Sequence, residues 1–133
     1  MHSINDKATA IMNQLTEGLK EEDTSRKIDN TPGYMAACVE LIQQTNSGPL
    51  FSVAHYFEQN GDLMRDPDMV FVRCQDNKYY PVSFQQDSLG IYQEVVSFDR
   101  STTPQVQDQE GQRQLVEFAN DWMLNIHQQQ KFS

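Results

Sequence analysis

Along the first twenty residues the apolar side chains of Ile4, Ala8, Ile11, Leu15 and Leu19 recur three and four positions apart, the spacing that lines one face of an α-helix. This predicts a helix over 3–20 with Ser3 as N-cap. The next stretch, EEDTSRKIDNTPG, is charged and turn-rich and reads as a linker ending at Pro32-Gly33. A second helix is expected from Tyr34 to Gln44, with Met35, Cys38, Val39 and Ile42 on one stripe and Asn46-Ser47-Gly48-Pro49 as its stop.

From Leu50 the period falls to two. Phe51, Val53, His55 and Phe57 alternate with Ser52, Ala54 and Tyr56, as in a strand with one face on a core. Asn60-Gly61 is a strong two-residue hairpin signal, because both residue types accept positive φ. Asp66-Pro67 interrupts the next strand, since proline donates no ladder hydrogen bond, and predicts a bulge or an edge. Met69 to Cys74, Tyr79 to Gln85 and Ile91 to Phe98 follow, separated by Asp76-Asn77 and Ser88-Leu89-Gly90. Residues 99–108 read as a polar loop, and Asp108 to about Gln129 returns to helical spacing through Leu115, Phe118, Ala119, Trp122 and Ile126. Connections this short favour an antiparallel meander over crossover units. The expected fold is α+β: an antiparallel four-stranded meander packed with two N-terminal helices and one long C-terminal helix. It forms a single domain over 1–133, helical over 1–49, sheet over 50–98 and helical again over 108–130.

The composition narrows the classes of function. With 38% apolar residues, 133 residues can fill one core. No apolar run of about 18 residues exists to span a bilayer, and MHSINDKATAIMNQ lacks the features of a signal peptide. Cys38 and Cys74 are isolated, as in a cytoplasmic protein with reduced thiols. The net charge of −9 repels nucleic-acid phosphates, so direct nucleic-acid binding is not expected. Most of that charge lies between 55 and 99, where Glu58, Asp62, Asp66, Asp68, Asp76, Asp87, Glu94 and Asp99 outnumber Arg65, Arg73 and Lys78.

Phosphate-binding, dinucleotide, nucleophile-elbow and zinc signatures are all missing. Asp66-Pro67-Asp68 begins like a calcium loop, but Val70 and the lack of a following glycine break the pattern. No metal site and no cofactor are expected. His55 shares the apolar side of its strand, and Glu94 shares a face with Val96 and Phe98. Buried singly, each needs a polar partner, and a His55–carboxylate pair with Glu94 is the economical solution.

The segments VAHYFEQNGDLMRDPDMVFVRC and YYPVSFQQDSLGIYQEV resemble an uncharacterised family of small proteins and domains encoded by bacterial conjugative elements, plasmids and phages. The resemblance covers about residues 53–95 and rests on Ala54-His55-Tyr56, Glu58 to Asp62, Asp66-Pro67 and Gln86-Asp87. It implies context and no particular activity. Taken with the acidic middle segment, it leads to a non-enzymatic accessory protein of a mobile element that binds another protein. Such a protein would blunt a host-defence nuclease or assist transfer. Its partner would have a basic surface and would meet Asp62, Arg65, Asp66 and Asp68. The competing class is a small enzyme or a metal- or ligand-binding domain with a pocket formed by His55, Asp87 and Glu94.

Overall fold

The computed structural model describes residues 1–98 and 104–132. Helix α1 (Asp6–Thr16) is followed by six strands: β1 (Ser25–Ile28), β2 (Ala37–Thr45), β3 (Gly48–Gln59), β4 (Asp62–Arg73), β5 (Tyr79–Gln86) and β6 (Ile91–Glu94). A 3-10 turn (Asp87–Leu89) joins β5 to β6, a short ladder pairs β7 (Val96–Ser97) with β8 (Gln105–Val106), and α2 (Gln109–Gln130) closes the chain. The six strands pair antiparallel in sequence order, each with the next. At the β3–β4 hairpin, Asn60 (φ 54°) and Gly61 (φ 87°) hold the positive φ values that the two-residue turn demands.

The pleat sorts the side chains onto two unlike faces. One row across all six strands runs Arg26, Val39, Val53, Met69, Phe84, Gln93. The neighbouring rows, on the opposite face, run Lys27, Cys38, Ala54, Asp68, Gln85, Tyr92 and Ser25, Glu40, Ser52, Val70, Ser83, Glu94. Both helices cover the apolar face. The Tyr79 hydroxyl donates to Asn13 Oδ1 of α1 at 2.8 Å and lies 3.1 Å from Thr16 Oγ1. The ring of Phe118 in α2 meets Phe84 at 5.3 Å.

Ala8, Ile11, Met12 and Leu15 of α1 join Leu115, Ala119, Trp122, Met123 and Ile126 of α2 in the core. Each large side chain removed from water there stabilises the fold by about 1.5–3 kcal/mol. Two buried glutamines anchor the ends of α2. Gln112 accepts from His2 N at 2.9 Å and donates to His2 O at 2.7 Å, while Gln130 accepts from Asn30 N at 2.6 Å and donates to Met35 O at 3.0 Å.

Several expectations are corrected. The sheet has six strands in place of four, and the expected second helix over Tyr34–Gln44 is β2. Ala37, Val39 and Leu41 alternate inward while Ile42, required inside by a helical stripe, is 47% exposed. Pairing of Val39 with Val53 and of Leu41 with Phe51 selects the strand period. The linker contributes β1, so the region 1–49 contains one helix and two strands. Asn46-Ser47-Gly48 is a hairpin turn, tied by Thr45 Oγ1 donating to Gly48 O at 2.6 Å, and no helix ends there. The cap of α1 is Asn5, whose side chain accepts from Ala8 N at 2.8 Å. Of the expected polar loop 99–108, residues 99–103 lie outside the described residues and Gln105–Val106 is β8.

Candidate functional site

Among the described residues no helix lies on the polar face of the sheet, and its most organised part is the first half of β4 beside the 3-10 turn. Here the ladder shifts register: Ala54 pairs with Asp68, but Tyr56 pairs with Arg65, leaving Asp66 and Pro67 opposite His55. This is a bulge at the proline that the sequence marks. It sets Arg65 between Asp68 and Asp87 and turns Asp66 to Gln86. Arg65 donates from its backbone N to Asp87 Oδ2 at 2.8 Å, and its guanidinium lies 3.5 Å from Asp87 and 3.9 Å from Asp68. Ser52 Oγ donates to Asp68 Oδ1 at 2.6 Å, and Gln86 Nε2 donates to Asp66 Oδ1 at 2.7 Å. The carboxylates are therefore held in place by neutral donors and by Arg65. Partly exposed ion pairs of this kind contribute about 0–1 kcal/mol each, so the arrangement does little for stability.

Burial pushes the Asp68 carboxyl above its ordinary range, opposed by the Ser52 hydrogen bond and by Arg65 and reinforced by Asp87. Tyr56 is likewise pushed up, by burial first and then by Asp68. Two adjoining cavities of about 260 Å³ and about 320 Å³ open beside it, sharing Lys27, Cys38 and Tyr56. Cys38 and Cys74 are free and half-buried, and burial raises both thiols. Neither has the lowered pKa of an activated nucleophile. Among the described residues no group of three or more His, Cys, Asp or Glu side chains has the geometry to hold a metal ion.

His55 belongs to the opposite face. It is 5% exposed and packs edge-on to Trp122 at 5.4 Å between ring centroids, with Nε2 buried and lacking a hydrogen-bond partner. Burial holds its pKa below the ordinary value, with Asp66 acting the other way. The unfolded chain takes up this proton near pH 6.5 and the folded chain only at lower pH. Stability is therefore unaffected above about pH 6.5, and it declines as pH drops from there to the folded pKa, by at most about 1.4 kcal/mol per pH unit for one proton. Asp68, with its pKa raised, acts in the opposite sense and at the lower pH of carboxylates. Urea unfolding between about pH 5 and about pH 7.5 should show the decline in the native sequence and its loss in His55→Phe, which keeps a ring against Trp122. An unchanged slope in the variant would place the proton elsewhere.

The family described as a domain of unknown function (DUF6908) matches residues 6–132. The chain belongs to the DUF6908 family. No curated protein and no solved structure matches it. The match agrees with an uncharacterised family and takes in α1 and α2, which the resemblance over 53–95 leaves out.

Within this DUF6908 chain the sequence-predicted residues divide into two sets. Arg65, Asp68 and Asp87 come together, Asp66 is held apart by Gln86, and Asp62 stands exposed at the hairpin. His55 and Glu94 do not meet, because Glu94 is exposed on the polar face, where it accepts from the Tyr92 hydroxyl at 3.2 Å. The expected polar partner for His55 is replaced by the Trp122 ring. Sequence reasoning misses Ser52 and Tyr56, although both fall on the polar side of the β3 alternation. It also misses Lys27 and Glu40, whose strands it reads as linker and helix. No helix of the described residues is long and apolar enough to cross a membrane.

Proposed function

We propose that this chain is a non-enzymatic accessory protein that binds another protein, and that the polar sheet face is its contact surface. One observation carries the reading. Both helices cover one face, leaving on the other two carboxylates, Asp68 and Asp87, ordered around Arg65. Preorganised carboxylates in a chain of net charge −9 suit a basic protein surface, and they do so without ordering cost at the moment of contact. The resemblance over 53–95 supplies the setting, a mobile element whose product works in the host cytoplasm. A host-defence nuclease, whose nucleic-acid groove is basic, is the kind of target such a surface fits.

Affinity purification from the native host, followed by binding kinetics with the protein that copurifies, tests this. Changing Asp62, Asp66 and Asp68 together to asparagine should slow association about tenfold at low salt, and raised salt should slow the native protein in the same way. Circular dichroism and melting should stay unchanged. Association insensitive to both changes, or stoichiometric uptake of a divalent metal at these aspartates, would overturn the proposal.

A further inference from the structure

The sheet has two outer edges, and the chain treats them differently. At the β1 edge, Arg26 is fastened to α1 by donating to Gln14 O at 2.7 Å, and Lys27 adds a second charge. Charged side chains are a common guard against strand addition. The β6 edge carries a single charged side chain, Glu94 at its end. Ile91 and Tyr92 on the strand are 40% and 63% exposed, and Leu89 in the turn before it is 65% exposed. Among the described residues no strand pairs with the outer side of β6.

The phase of the ladder fixes which amides face outward. Val95 N donates to Val82 O at 2.9 Å, and below it Gln93 pairs with Phe84 and Ile91 with Gln86. Hydrogen-bonded and non-bonded pairs alternate in an antiparallel ladder. The amides of Ile91 and Gln93 therefore point to β5, and those of Tyr92 and Glu94 point out of the sheet. Around this edge the charge is negative: Glu94 lies on the strand, and Asp87, whose carboxylate meets Arg65 of β4, lies in the turn before it.

We infer that the outer edge of β6 receives an extended, basic segment of the partner protein as a seventh antiparallel strand. Main-chain hydrogen bonds to Tyr92 and Glu94 would supply register, and lysine or arginine side chains would meet the carboxylates. A second copy fits poorly, because it would bring together two chains that each carry a net charge of −9. The inference rests on the protein-binding reading and adds where and how the partner is held.

The probe is a capped, fluorescent octapeptide of alternating lysine and valine, with a second version N-methylated on alternate residues to remove its donors on one side. The full chain should bind the first, with amide exchange at Tyr92 and Glu94 slowed about tenfold or more. It should bind the N-methylated version at least about tenfold more weakly. Tyr92→Pro removes an outward donor that the sheet does not use, so it should weaken peptide binding while leaving the circular dichroism spectrum unchanged. Three results would overturn the inference: no binding, equal binding of both peptides, or a dimer in sedimentation whose Tyr92 and Glu94 amides are protected without peptide. If the peptide fails while the aspartate substitutions still slow the natural partner, the edge alone is wrong. If the peptides behave as expected while those substitutions have no effect, the charged-face proposal is the one that falls.

Discussion

Replacing Trp122 by alanine should destabilise the fold by about 3–5 kcal/mol, close to the whole stability of many domains this size. Trp122 is the sole tryptophan, and it is buried between α2 and the sheet. Its ring touches His55 at 5.4 Å and Phe118 at 5.8 Å. Removing it opens a cavity that rigid strands on one side and a 22-residue helix on the other cannot close. It also admits water to His55 Nε2, so the histidine pKa should move back toward its ordinary value and the pH dependence described above should shrink. Urea unfolding followed by far-ultraviolet circular dichroism reads both effects. A loss below about 1.5 kcal/mol would mean that the aromatic contact is not central to the core.

Gly48→Ala should cost about 3 kcal/mol or more, from a single methyl group. Gly48 has φ +137°, a conformation that side chains rarely accept, and a Cβ there would lie 1.8 Å from the backbone carbonyl oxygen of Arg73. Neither atom has room to yield, because one belongs to the β2–β3 turn and the other to the end of β4. Gly61 is the control. Its φ is +87° but nothing lies within 4 Å of its Cβ position, so Gly61→Ala should cost only about 1 kcal/mol. Thermal melts of the two variants should separate clearly. Equal losses would show that the close approach to Arg73 does not constrain the fold.

The residues that announce themselves do so through local physics. Asn60-Gly61 specifies its turn because few residue types tolerate two positive φ values in succession. The period of two through Phe51, Val53 and His55 places all three on the core side, and the helical spacing of Leu115, Ala119, Trp122 and Ile126 does the same for α2. The bulge at Asp66-Pro67 is also local, since proline lacks the donor that a regular ladder uses.

Other features depend on neighbours that are distant in sequence. Residues 34–44 satisfy both periods, Met35, Cys38, Val39 and Ile42 for a helix and Ala37, Val39 and Leu41 for a strand. Only pairing with β3 decides between them. The strand β1, Ser-Arg-Lys-Ile, has three exposed residues and no apolar rhythm to read. It exists because β2 presents an edge whose amides need partners. The site follows the same division. By itself the sequence determined that the middle of the chain is acidic and that His55 is buried. Tertiary structure decided that His55 meets Trp122 and that Glu94 stays on the far face. It also decided that Arg65 gathers Asp68 and Asp87, because charge pairing across strands is set by register, and register is fixed by the whole sheet at once.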